Sequence, residues 1–398
     1  MAENRISRRA NAVGRTKIRM MYELEAQYEN VISFTVGEPD FPTPDNIVRV
    51  CKASLDAHQT FYAPNQGVYA LREAVARRIR LTHGVRYTPE EILITAGGMD
   101  ALRMAAEALI DPGDEVLIPN PYWANHYHHP LLELGVPIPV PVAEKCNFMY
   151  DPDELERYVT PRTKMIVLNS PSNPTGRVMD WKTMERLCAF VKQQDLILIS
   201  DEVYEHLIYD GVEFCSPLMF AGMKERTVLC SSLSKTYAMT GWRLGYACGP
   251  EDIISAMLRM NENTIASPTT FVQYAAIEAL DGPQDAKKHM VEAFHQRRDL
   301  ICRELNAIDG IRCPVPQGAF YVFADIRGTG LSSEKFSARL LREQQVSVTP
   351  GNGFGSGGEG YVRMSYALSA EKILEGIKRI RRFVQSLKRP EQGEKRGK

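Results

Sequence analysis

Between about residue 68 and residue 250 the chain alternates short apolar runs with helix-length segments, and no other feature constrains its fold as much. The runs fall at 92–95, 115–118, 164–168, 196–200, 227–230 and 244–248. Each holds three or four consecutive apolar residues, a pattern that suits strands buried on both faces with the intervening helices covering them. The expectation is an α/β fold with a mostly parallel central sheet and helices on both faces. A chain of 398 residues, 44% apolar, exceeds one ordinary core, so a second domain is expected. Its parts are a helix starting near Ser267, a long one through Arg297–Leu305, strand-like Ala319–Ala324, a segment from Glu334 to Glu343, Val346–Val348, Tyr361–Ser365 and a final helix to Leu387. We read a large domain over 49–304 and a smaller, discontinuous α+β domain over 1–48 and 305–398, with the apolar-free stretch 389–398 as a disordered tail. The glycine-rich loop Gly351–Gly360 is read as a mobile element of the small domain.

The chemistry gathers at strand ends. In Ser231-Ser-Leu-Ser-Lys235 a lysine stands among hydroxyls, with Arg243 eight positions on. Such a lysine can condense with an aldehyde as a Schiff base, while Ser232, Ser234 and the guanidinium of Arg243 suit a phosphate. That combination points to pyridoxal 5'-phosphate. Asp201 ends the apolar run 196–200, where open α/β sheets place ligands, and a carboxylate there can keep a pyridine nitrogen protonated. Tyr204, three residues on, can reach the ring's phenolic oxygen, and so can Asn173 in Ser-Asn-Pro-Thr-Gly176. Gly97, Gly98 and Met99 open a helix after a strand and form a candidate phosphate cradle. Trp123 follows another strand and can stack on the ring. Arg363, on a strand-like segment, suits a bidentate grip on a carboxylate.

In their order and combination, these motifs resemble those of fold-type I pyridoxal-phosphate enzymes of the class I/II aminotransferase family, in the aspartate aminotransferase-like branch. The likeness runs from Phe34-Thr-Val-Gly37 to Arg363-Met-Ser-Tyr366. It implies that Lys235 carries the cofactor and shuttles the proton, with Asp201 and Tyr204 as its catalytic companions, in a ping-pong transfer between an L-amino acid and a 2-oxo acid. It further implies that Arg363 and the backbone at Gly37 receive the substrate's α-carboxylate, with Trp123 and Asn173 close by. A homodimer with shared sites is implied too, Tyr62 reaching the cofactor phosphate of the neighbouring subunit. The same machinery on the same fold also serves carbon–sulfur β-lyases, which remain the alternative. One departure concerns Met99, where aspartate-using members close to this branch often carry a basic residue. Either Arg15, Lys17 or the histidines from His126 to His129 meet a second carboxylate, or the amino donor is neutral or aromatic. The reading leans to the latter.

Other classes are disfavoured. A net charge of −1 offers no broad basic field for nucleic acid. No apolar stretch is long enough to span a membrane, and eight cysteines without Cys-x-x-Cys spacing suit reduced thiols in the cytoplasm. The basic first twenty residues are read as a solvated arm in preference to a targeting peptide. A ligand sensor fused to a DNA-binding module finds no winged-helix segment here. Histidines so close together on one segment rarely complete a coordination sphere, so no metal is expected and a place at the substrate entrance is preferred.

Overall fold

The computed structural model describes residues 5–387; the expected tail at 389–398 lies outside them. The chain forms two compact units, one of residues up to Gly14 with Glu38–Glu292 and Gln317–Ala319, the other of Arg15–Gly37, Ala293–Pro316 and residues from Phe320 on. These divisions fall near 37 and 292, where the sequence reading placed them at 48 and 304.

The first unit is built on a seven-stranded sheet: β1 (Ile92–Thr95), β2 (Glu115–Asn120), β3 (Val136–Pro141), β4 (Thr163–Asn169), β5 (Ile197–Asp201), β6 (Thr227–Ser232) and β7 (Gly245–Cys248), in the order β1-β7-β6-β5-β4-β2-β3. All neighbours are parallel except β7, which runs against both β1 and β6. Alternate residues of each strand enter different cores. Val116 and Ile118 pack with Met165 and Val167 against the helix Gly98–Leu109, whereas Leu117 packs with Ile166 and Leu168 against Trp181–Gln193. Both faces are therefore buried, which is why the strands read as unbroken apolar runs.

β3 escaped the sequence reading because Pro137, Pro139 and Pro141 break its strand character. It is an edge strand, the one position in a sheet where prolines leave no ladder bond unmade.

The second unit contains an antiparallel sheet of β8 (Tyr321–Asp325), β9 (Thr349–Pro350) and β10 (Tyr361–Ser365), with β10 in the middle, and a short parallel pair of Ile32–Ser33 with Val346–Ser347. Helices Ser333–Gln344 and Ala370–Leu387 cover it, joined by an edge-to-face contact of Phe336 and Phe383 at 5.3 Å. Among the described residues no helix is long and apolar enough to cross a membrane.

Ile166 is fully buried in the middle of β4. Ile166→Ala is expected to cost about 2–5 kcal/mol, read as a lower urea midpoint for the first unit; a loss below about 1 kcal/mol would contradict this packing.

Candidate active site

Strand direction decides where the sequence-derived residues meet. Because β7 is reversed against both neighbours, β1 runs the same way as β2, β4, β5 and β6. Their carboxyl ends share one edge of the sheet, and the amino end of β7 lies there too. Gly97 follows β1, Trp123 follows β2, Asn173 follows β4, Asp201 and Tyr204 close β5, Ser232 to Lys235 close β6, and Arg243 precedes β7. This is the edge at which open α/β sheets bind ligands.

The convergence is tight. Gly97 has φ +98°, a conformation that favours glycine, and a Cβ there would come within 2.7 Å of Arg243 Nη2. A Cβ on Gly245 would meet the Gly97 carbonyl carbon and Gly98 nitrogen at 2.7 Å, and one on Gly98 would lie 3.3 Å from Ser232 Cβ. Gly97 caps the helix Gly98–Leu109, whose first N–H groups have no acceptor within the helix. Arg243 is held by Nη1 on the Thr240 carbonyl at 3.0 Å and Nη2 on that of Ala96 at 3.3 Å. Ser232 donates to the Leu244 carbonyl at 3.2 Å and caps the short helix Leu233–Thr236, on which Ser234 is buried and Lys235 half-buried. Helix N–H groups, two hydroxyls and a guanidinium, drawn together by glycines whose backbone has no room for a Cβ, are donors suited to a phosphate dianion. Met99 stands 45% exposed beside them.

At the neighbouring strand ends the groups that would hold a heteroaromatic ring are buried. Asp201 is 5% exposed, and His126 Nε2 donates to its Oδ2 at 2.8 Å. Asn169 links two strand ends: its amide donates to the Asp201 carbonyl at 3.1 Å and its Oδ1 accepts from the Asn173 N–H at 2.7 Å. Tyr204 and Asn173 are buried as well. Trp123 stands edge-on to His126 with ring centres 5.3 Å apart.

His126 and His129 thus do not line an entrance. Both are buried, and burial, with positive charge at His126 next, drives His129 down to about 3. The sequence showed the histidines but not their partner, because Asp201 lies 75 positions away on another element.

Two candidates lie in the second unit. Arg363 on β10 is 1% exposed, its guanidinium 4.5 Å from the Tyr321 ring and 5.1 Å from that of Phe354, with Nη2 donating to the Thr35 carbonyl at 2.5 Å. At Gly37 a Cβ would collide with the Tyr321 hydroxyl. Tyr62, in the first unit, is a surface residue, 91% exposed, beside Phe61.

Removing the imidazole strips a buried carboxylate of its nearest donor and leaves the Val203 N–H at 3.4 Å. His126→Leu should therefore cost about 1–3 kcal/mol in urea unfolding, and adding Asp201→Asn should recover part of the loss; strictly additive losses would show that the two side chains do not depend on each other.

A family model for aminotransferase class I and II matches residues 29–380. The chain is 40% identical over 386 residues to aromatic-amino-acid aminotransferase 2 of Thermococcus litoralis, spanning 96% of this chain and 99% of that protein. It is also 40% identical over 385 residues to an aspartate aminotransferase of Pyrococcus horikoshii, at 96% and 98% coverage. Among solved structures, the aspartate aminotransferase of Thermus thermophilus with maleate superposes with a TM-score of 0.90 at 38% identity, covering 95% of this chain and 99% of that one.

Proposed function

Because the chain belongs to the aminotransferase class I and II family, we propose that it transfers an amino group between an L-amino acid and a 2-oxo acid in a ping-pong reaction, with Lys235 moving the proton. The observation that carries this reading is the meeting of Lys235, Asp201 and the Gly97 cradle at one edge of the sheet. Pyridoxal phosphate is the cofactor of that family, and its enzymes act on amino acids and 2-oxo acids.

We assign the cofactor's phosphate to Gly97, Gly98, Met99, Ser232, Ser234 and Arg243, its ring nitrogen to Asp201, its phenolic oxygen to Asn173 and Tyr204, and its ring face to Trp123. When bound, pyridoxal phosphate supplies an aldehyde for a primary amine and an electron-withdrawing ring that eases loss of a proton from the substrate's α-carbon. Lys235 accepts that proton and returns it. Asp201, oriented by His126, opposes positive charge at the ring nitrogen. The rings of Tyr321 and Phe354 fix the plane of the Arg363 guanidinium, the condition for a two-point grip on the α-carboxylate, with the Gly37 backbone assisting.

Of the groups that could meet a second carboxylate, Arg15 pairs with Glu23, Lys17 with Glu334 at 2.9 Å and His126 with Asp201, while burial lowers the pKa of His128 and His129. With Met99 at the helix start, this supports neutral or aromatic amino donors over aspartate. Residues 49–304 are assigned to cofactor binding and the remainder to the smaller domain. The exposed Phe61 and Tyr62 support a homodimer in which Tyr62 reaches the partner subunit's cofactor phosphate, and eight free thiols support a cytoplasmic location.

Lys235→Ala is expected to abolish both turnover and the pH-dependent visible band that pyridoxal phosphate gains when joined to Lys235; turnover in that variant sinks the assignment. Arg363→Lys should raise KM by about tenfold or more while kcat falls less, because a point ammonium cannot reproduce the fork. Initial rates with phenylalanine, alanine, glutamate and aspartate test the donor class, and a strong preference for aspartate would refute it.

A further inference from the structure

Behind the segment that carries Asp201 and Tyr204 lies a buried group of charges for which transamination itself gives no reason. Asp201 turns to His126, whereas Glu202 and Glu205 turn to His83, the last residue of the helix Tyr69–His83. His83 Nε2 stands 2.8 Å from Glu202 Oε2 and 3.6 Å from Glu205 Oε2, and the three side chains are 1%, 1% and 5% exposed. The hydroxyls of Ser200 and Ser216 each donate to Glu202 Oε1 at 2.7 Å.

The proton positions follow from the donors. Thr82 Oγ1 lies 3.0 Å from the Arg78 carbonyl and 2.6 Å from His83 Nδ1, and a hydroxyl whose hydrogen is on that carbonyl leaves the imidazole as donor in the second contact. With Nδ1 protonated, Nε2 faces two carboxylates and needs a proton there as well. An imidazolium between two carboxylates results. Burial pulls the His83 pKa down, but the charge of Glu202, its hydrogen bond and then Glu205 outweigh that and raise it overall. For Glu205, burial and Glu202 outweigh the cations His83, Arg78 and Lys287, raising it to about 7. His206, the remaining basic neighbour, is held far below its usual value by burial and the same cations, while burial raises the phenols of Tyr237 and Tyr246 and the thiol of Cys248. Glu205, and next Lys287, which burial and Arg78 lower to about 8, are thus the members that titrate nearest neutrality. A His-Glu-Glu set also resembles a metal triad. Arg78 and Lys287 already supply positive charge to Glu205, so an added divalent ion would leave the pocket with excess positive charge.

We propose that His83 is a positioning residue for the reaction: its imidazolium ties Glu202 to Glu205 and so fixes the turn from which Asp201 and Tyr204 are presented. The proposal rests on the functional reading only for what those two residues do once presented. Both His83 and Glu205 have folded-state pKa values above their unfolded ones. Their contribution to stability is therefore complete below the unfolded values and is lost as pH rises through about 7 for Glu205 and through the raised value of His83.

The test compares wild type, His83→Gln, Glu202→Gln and Glu205→Gln, each loaded with pyridoxal phosphate. His83→Gln should shift the pH midpoint of the visible absorbance band by at least about half a unit and lower kcat about fivefold with KM within about twofold. Should that variant fail to fold, Glu202→Gln is expected to shift the midpoint in the same direction. Glu205→Gln should shift the midpoint less than His83→Gln, because the 2.8 Å contact with Glu202 remains, and should remove much of the fall in thermal stability between about pH 4.5 and about pH 7. Folded His83 and Glu202 variants with lower melting temperatures but an unmoved midpoint would reduce the cluster to a structural role and overturn the proposal. So would a stoichiometric divalent metal in dialysed wild-type protein that is missing from His83→Gln. A wild type that develops no visible band would defeat the functional reading instead, and the thermal comparison, which needs no cofactor, would still report on the cluster.

Discussion

A carboxylate at the end of an apolar, doubly covered strand is the constraint around which the first unit is arranged. Burying Asp201 to 5% exposure would cost several kcal/mol if it had no partner. The fold meets that cost with a donor from a helix, His126 at 2.8 Å, and with the Val203 N–H at 3.4 Å, while the Asn169 amide holds the backbone carbonyl of the same residue. These bonds need β4 and β5 in register, Asn169 opposite Asp201. The packing of the strands and the presentation of the acid are therefore one problem with one solution.

Much of this was legible in the sequence, for identifiable reasons. Strands covered on both faces leave continuous apolar runs, so the runs closed by Asn169, Asp201 and Ser232 announced themselves along with the polar residues ending them. What stayed hidden depends on packing between distant segments. Nothing local pairs His126 with Asp201, or His83 with a glutamate 119 positions away. The reversal of β7 was hidden too, although it is what brings Arg243, a residue before a strand, to the side where the other residues follow theirs.

Arg363 illustrates the same divide. Its place on an alternating segment indicated a strand but favoured solvent for a lone arginine. In the second unit it is enclosed between two rings, with one nitrogen donating to a backbone carbonyl. Stacking on aromatic faces lowers the cost of desolvating a guanidinium without using its donors, which an ammonium in the same space could not match.

The prolines of β3 have a consequence beyond the strand they obscured. A wide sheet with an open margin invites other chains to extend it, since unpaired amides along the rim can recruit a foreign strand. Pro137, Pro139 and Pro141 occupy alternate positions, so the side of β3 turned away from β2 lacks hydrogen-bond donors at each of them. That rim resists edge-to-edge polymerisation, a safeguard for a crowded or partly unfolded population that asks nothing of the catalytic groups.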